Sequence, residues 1–328
     1  MAKVAQFQNK SATNCFIGTE VTLGTATAAD GAWLQMPITD YSFSEINLQT
    51  LDVAPFRIGQ GVGMTQSDKM VKAKRHDRMF EISLNFIATK HAIDRICKNL
   101  FEDGDGTNTL IGTMPTTVTF KHSVSNAVPV TIIFDEGGHT FNDIYFTSCM
   151  CTSFTLNGSI DSDGGTILGT ATFVTGYPPV EGSLTPDASD TAVSAQTVFN
   201  VHEFSTTTIG GSGGDLVFHG FELTIARSVT KQSFIPGAEF RPYGYSIGGY
   251  EVTGSITGKR DANSLAAIAE NTAKAIVLTD GTFDIQCPTA YVDTAAIDFA
   301  DTGWLQTIPF RALYTGAATS TICSITTS

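Results

Sequence analysis

Phe80-Glu-Ile-Ser-Leu-Asn-Phe86 places an apolar side chain at every second position, and within a few residues the pattern changes to that of a helix. A period of two marks a strand with one buried face, because successive side chains point to opposite sides of a sheet. From Lys90 to Phe101 the apolar residues Ile93, Ile96, Cys97, Leu100 and Phe101 fall at i, i+3, i+4, i+7 and i+8, a single helical stripe. Thr89 stands where it can cap this helix, and Gly104 follows its end. The same sequence of events recurs later. Tyr250-Glu-Val-Thr-Gly-Ser-Ile256 again opens aromatic-Glu-aliphatic and runs into a helix expected over Asn263 to Lys274. Its stripe is Leu265, Ile268, Ala269, Ala273 and then Ile276, with Asp261 or Asn263 as the cap.

The neighbourhoods of these two stretches also match. Upstream lie the alternating runs Tyr41-Ser-Phe-Ser-Glu-Ile46 and Phe221-Glu-Leu-Thr-Ile225. Each is separated from its successor by a long segment containing Pro and Gly, 55–78 in one case and 231–249 in the other. Downstream, Gly165 to Gly176 resembles Gly303 to Gly316, both reading as final strands that end in Thr-Gly. The pattern is an internal duplication: strand, long loop, strand, helix, several strands, performed twice. It predicts a mainly β chain of two tandem β-sandwich or rolled-sheet domains, each flanked by one helix. The expected boundaries are an N-terminal arm over 1–30, a first domain over 31–176, a linker over 177–190 and a second domain over 191–328. The linker contains Tyr177-Pro-Pro-Val-Glu-Gly and Pro186, whose prolines and small polar residues suit a join. The ends, poor in core-like aromatics at 1–30 and rich in Thr and Ser at 317–328, read as arms, the N-terminal one reaching over a neighbouring subunit.

Composition agrees with a β-rich chain. Of 328 residues 46 are Thr, 31 Gly and 22 Phe, and only 16% are charged, against about 25% in an ordinary soluble domain. Lys and Arg number 19 and Asp and Glu 32, giving a net charge of −13, shared as −6 over 1–185 and −7 over 186–328. Such a chain lacks the cations needed to wrap duplex nucleic acid. No apolar run reaches the roughly 18–20 residues of a spanning helix, and the first residues have no apolar leader core. The six cysteines, Cys15, Cys97, Cys149, Cys151, Cys287 and Cys323, are too sparse for a disulfide scaffold. They read as buried, reduced thiols of a chain kept in a reducing cytoplasm, and the strand-borne Cys149-x-Cys151 has no second pair to complete a zinc site.

Trp33-Leu-Gln-Met-Pro-Ile-Thr-Asp-Tyr-Ser-Phe-Ser44 and Tyr250-Glu-Val-Thr-Gly-Ser-Ile-Thr-Gly258, within this order of elements, resemble the tail tube protein of long-tailed bacteriophages, with two tube domains in tandem. The resemblance spans about residues 30–328 and rests on short motifs. It implies a non-enzymatic structural subunit of a virion tail, assembled in the bacterial host cytoplasm. Three chains with two domains each would form a pseudo-hexameric ring, and rings would stack into a tube beside other tail proteins. The long loops, about 49–78 and 229–249, would reach the next ring, and the inner sheets would close around a lumen through which DNA passes without specific binding. An acidic and hydroxyl-rich wall suits that passage, since every cation on it would hold phosphate back. Within this picture the basic residues Arg57, Lys69, Lys72, Lys74, Arg75, Arg78, Lys231 and Arg241 are candidate contacts between rings, where charge sets register more than affinity.

Other motifs carry less. Gly59-Gln-Gly61-Val-Gly63 has no helix behind it, as a dinucleotide cradle requires. Gly210-Gly-Ser212-Gly-Gly214 matches a nucleophile elbow in letters, but a strand follows it instead of a helix. Asp103-Gly-Asp105 and Asp161-Ser-Asp163-Gly164 are ordinary turn chemistry without the glutamate that closes a calcium loop. The six histidines show no ligand spacing, and His91, in the first helical turn, is expected to be solvated. No catalytic, cofactor or metal site is expected. The competing readings are a two-domain β-sandwich binding or adhesin-like module, which wants exposed Trp or Tyr clusters, and a β-rich hydrolase, for which no acid pair or nucleophile stands out.

Overall fold

The computed structural model describes residues 13–20, 23–26, 33–46, 79–100, 117–121, 129–135, 143–182, 184, 193, 196–210, 216–232, 244–262, 264, 273–293, 296–300, 303–314 and 321–327. In the first half lie β1 (Asn14–Thr19), β2 (Trp33–Met36), β3 (Ile38–Ile46), β4 (Met79–Ile87), the helix α1 (Lys90–Leu100), β5 (Thr117–Lys121), β6 (Val130–Asp135), β7 (Ile144–Ser159), β8 (Leu168–Thr175) and β9 (Val180–Glu181). The second half adds β10 (Thr206–Ile209), β11 (Phe218–Gln232), β12 (Gly244–Lys259), β13 (Lys274–Thr279), β14 (Phe283–Val292), β15 (Ala296–Ala300), β16 (Gly303–Ala312) and β17 (Thr321–Thr327). The chain is mainly β, and among the described residues every strand pairing is antiparallel.

The same five pairings occur in both halves. In the first, β1 pairs with β6, β6 with β7, β7 with β8, β8 with β4 and β4 with β3. In the second, β10 pairs with β13, β13 with β14, β14 with β16, β16 with β12 and β12 with β11. Strands β3, β4 and β8, and their counterparts β11, β12 and β16, are the stretches paired by sequence pattern. Not everything repeats. β5 leaves the first half to pair with β17, β9 adds to the start of β7, and β15 adds to β16. Buried side chains from both halves, from Cys15 to Ile325, form one contiguous hydrophobic cluster.

Alternation explains why these strands face as they do. On β4, Phe80, Ile82, Leu84 and Phe86 are buried while Glu81, Ser83 and Asn85 are partly exposed. The nearby β8 leaves Gly169 opposite Phe86, and a Cβ there would collide with the Phe86 ring. That glycine gives Phe86 its room, with Phe154 of β7 stacked 6.3 Å away.

The helix α1 occupies Lys90–Leu100 as its stripe predicts, with Thr89 Oγ1 accepting the Ala92 N–H at 3.3 Å as its N-cap. Burial goes further than the stripe. Asp94, Arg95 and Asn99, on the side expected to face water, are buried too. The helix is wedged between sheets, and each of these side chains finds an internal partner: Thr327 Oγ1 of β17 donates to Asp94 at 2.7 Å, and Arg95 donates to Thr19 Oγ1 at 3.0 Å. Asn99 bridges β7, donating to the Cys149 carbonyl at 3.2 Å and accepting the Cys151 N–H at 2.6 Å. His91, expected in water, is only partly exposed, and burial followed by the charges of Lys90 and Arg95 lowers its pKa. Where the second helix is expected, Ala262 and Ser264 are helical, and Asp261 accepts the Ser264 N–H at 2.8 Å while Ser264 Oγ accepts the Asp261 N–H at 2.9 Å. Its expected end at Lys274 is different, because Lys274 already opens β13. Residues 265–272 lie outside the described residues.

Burial raises the Asp94 pKa to about 7, with the Thr327 hydrogen bond and Lys90 opposing it. A carboxyl that is more basic when folded favours the fold while it is protonated. That stability is present below pH 4 and is lost as pH rises through about 7. The Asp94→Asn variant should therefore match the wild type at pH 4 and exceed its stability by on the order of 3 kcal/mol at pH 8. Denaturant titrations across that range measure it, and a pH-independent gap would show that Asp94 does not titrate there.

The ends depart from expectation. Within the stretch read as an N-terminal arm, Asn14–Thr19 is a strand between β2 and β6, with Cys15 and Ile17 buried. Thr321–Thr327 is likewise an interior strand between β14 and β5. Both were masked in the sequence by small and hydroxylated residues, which pack well in a sheet when a partner lies on each side. In the stretch expected as a linker, Tyr177 is buried and Val180–Glu181 pairs with β7.

Candidate assembly interface

Besides the β5–β17 pairing, the two halves join along a longer ladder. β7 of the first half pairs with β11 of the second from Gly220↔Ser159 to Ala226↔Ser153. This ladder makes one sheet that runs β3, β4, β8, β7, β11, β12, β16 and β15 through the whole chain. Its apolar face carries Leu84, Phe173, Phe154, Leu223, Ile256 and Ile308, all buried. Its other face carries hydroxyls and acids on most of its strands, with Leu168, Val174 and Leu305 among them.

That face is made mostly of hydroxyls and acids. Ser42 and Ser83 sit opposite each other on β3 and β4. Thr170 of β8 donates to Asn85 of β4 at 2.9 Å. Across the seam Thr155 and Thr224 hydrogen-bond at 3.0 Å, and Thr257 and Thr307 do so between β12 and β16, also at 3.0 Å. Glu81, Glu222 and Glu251 share this face. Two cations also lie on it: Arg311, paired with Glu251 at 2.9 Å, and Lys259, opposite Leu305.

The seam is tied by a buried guanidinium. Arg227 of β11 donates to the carbonyls of Asn99 at 3.0 Å, Leu100 at 2.7 Å and Cys151 at 2.7 Å. Tyr250 of β12 donates to the Leu100 carbonyl at 2.6 Å and accepts from Arg227 at 3.1 Å. Thus the second half supplies the C-terminal cap of the first half's helix, where unpaired carbonyls and the helix dipole both favour a cation. Tyr245 reinforces the join from the extended β11–β12 hairpin, accepting the Gly176 N–H at 3.0 Å, and burial leaves its hydroxyl harder to ionise than usual, against the opposing hydrogen bonds from Gly176 and Thr175.

At its margins the sheet has two strands paired on one side only, among the described residues. β3 pairs with β4, and β15 pairs with β16. Each margin exposes an apolar side chain that register places on the core side: Phe43, opposite buried Ile82, and Ile297, opposite buried Gln306. Their exposures, 44% and 46%, contrast with 1% for Leu223 and Phe154 at the internal seam.

Of the basic residues expected to contact another ring, Arg57, Lys69, Lys72, Lys74, Arg75, Arg78 and Arg241 lie outside the described residues. Lys231 is described, opposite Tyr245 on the hairpin beyond the core. Sequence pattern missed Arg227, although a signal was there: Leu223, Ile225 and Arg227 fall on one face of a strand, so a charge sits where the core is expected. Trp33 is buried and Trp304 is exposed, but one face of the Trp304 ring is covered by Arg260 at 5.3 Å, away from any Trp cluster. Among the described residues no group of three or more His, Cys, Asp or Glu side chains is placed to hold a metal ion. Asp161 instead meets His219 at 2.9 Å. The chain matches no protein-family model, and no curated protein matches it significantly.

Proposed function

We propose that the chain is a structural subunit of a bacteriophage tail tube that closes, three copies at a time, into a pseudo-hexameric ring. One observation carries this reading. The internal seam pairs β7, the neighbour of β8, with β11, and in the second half β15, the neighbour of β8's counterpart β16, is left open just as β11's counterpart β3 is. Counting alternations along the sheet, β15 and β3 run antiparallel, as β7 and β11 do. A second copy added at either margin therefore repeats the seam, and repetition of one head-to-tail contact generates a ring when the rotation closes. Closure also removes the two exposed edges that a free sheet would offer to indiscriminate pairing.

The dimensions fit. Eight strands per chain give about 24 in a ring of three, a wall about 115 Å around at 4.8 Å per strand before tilt widens it. Barrels of roughly 16–18 strands already enclose an aqueous channel. With the apolar side turned to the core, the hydroxyl-and-acid face would line the bore. Such a lining repels phosphate and presents no array of cations to release counterions against, so DNA would slide instead of binding. The recurrence of the five pairings supports two tandem tube-like units, and the resemblance of Trp33–Ser44 and Tyr250–Gly258 to tail tube proteins points the same way. Other tail proteins would be the partners along the axis, in a virion tail assembled in the host cytoplasm.

Mass measurement and negative-stain electron microscopy of the purified chain test the reading. The expected result is a species of three chains, or hollow tubes built from such rings. Monomers alone, at concentrations where the chain is folded and under assembly conditions, would overturn it.

A further inference from the structure

Two of the six buried thiols lie next to the end of one ladder. β14 and β17 pair in the register Phe283↔Thr327, Ile285↔Ile325 and Gln286↔Ser324. One further step in that register sets Cys287 against Cys323. The two thiols lie close enough to interact, both are buried, and neither is in a disulfide. Residues directly opposite in an antiparallel pair have Cα atoms about 4.5–5.5 Å apart, inside the range of about 4.4–6.8 Å that a disulfide spans. Ile285 and Ile325, two positions along, lie on the same buried side, so the thiols point into a common space and not to opposite faces.

We propose that Cys287 and Cys323 are a latent disulfide site that staples the C-terminal strand β17 to β14 when the chain leaves a reducing compartment. The reaction is thiol–disulfide exchange with a small external disulfide. A cysteine thiolate attacks it, releasing one small thiol, and the second cysteine attacks the resulting mixed disulfide, releasing the other. The two cysteines are oxidised by two electrons and lose two protons, and one external disulfide becomes two thiols. The interaction with Cys287 and burial hold the Cys323 thiol well above its ordinary pKa, so thiolate forms only when β17 opens. The pair therefore remains reduced in a thiol-rich cytoplasm and converts slowly outside it. The staple would fix a terminal strand that holds Asp94 through Thr327 and binds β5 on its other side. It is intramolecular and does not depend on ring closure.

The test uses the reduced full chain and diamide, whose N=N group takes up the two electrons and two protons as a hydrazine. After prolonged incubation in native buffer, the intact mass should fall by two hydrogens, and unreduced peptide mapping should join the Cys287 peptide to the Cys323 peptide. Re-reduction should restore both free thiols, and Cys287→Ser or Cys323→Ser should remove the linked peptide. Free thiols at both positions, or either cysteine linked to another of the six, would overturn the proposal. Because the wild-type map decides it, a variant that fails to fold leaves the answer intact. The outcome is equally readable on monomers and on rings, so it is separable from the tube reading.

Discussion

Replacing Arg227 by alanine should lower the folding stability by about 3–5 kcal/mol. Arg227 is 5% exposed, and its guanidinium donates to backbone carbonyls at Asn99, Leu100 and Cys151. Truncation leaves the Asn99 and Cys151 carbonyls without it in a site that water does not reach, and each unsatisfied buried polar group costs about 1–3 kcal/mol. Tyr250 retains its bond to Leu100, which limits the loss. Removing a cation from a helix C-terminus adds about 0.3–1 kcal/mol. Arg227→Lys should recover less than half, because one ammonium cannot reproduce a planar fork that serves a strand and a helix end together. Denaturant midpoints at constant m-value measure both variants. A loss below about 1 kcal/mol for Arg227→Ala would show that the carbonyls find other partners and that the seam is held by the β7–β11 ladder alone.

The largest effect on assembly is expected at the sheet margins. Ile297→Lys places a charge on the core side of β15, where the exposed isoleucine does little for the isolated chain; surface substitutions of this kind usually change stability by about 0.5 kcal/mol or less. In a ring, the lysine would be buried at a junction at a cost of about 2 kcal/mol. A three-membered ring has three such junctions, so the association constant of the trimer should drop by about 10⁴-fold. Measured by mass, the variant should run as folded monomer where the wild type forms rings. Val198→Lys is the control: Val198 is similarly exposed at 45% but stands off both margins, and it should leave rings intact. Rings formed by Ile297→Lys with wild-type affinity would exclude β15 as a closing edge.

Much of the architecture was legible because it depends on periodicity. Phe80–Phe86 and Tyr250–Ile256 alternate, Lys90–Phe101 carries a helical stripe, and each reports its buried face directly. The recurrence of these units located the counterpart strands before any contact was known. What pattern could not supply was the role of residues whose environment comes from distant segments. Asp94, Arg95 and Asn99 look solvated on a helical wheel and are buried, since β17, β1 and β7 arrive on the far side of α1. Asn14–Thr19 and Thr321–Thr327 look like frayed ends and are interior strands, since each has a ladder on both sides.

The amino-acid sequence by itself determined the strand-rich composition, the twofold recurrence, the faces of the principal strands and the start of each helix. These follow from local side-chain spacing and capping chemistry, which act within a few residues. Only the tertiary structure decided that β7 meets β11, that Arg227 caps the helix of the other half, and that β3 and β15 remain as margins. Strand partners are chosen by long-range closure of the core, and no local spacing records which edge is left unpaired.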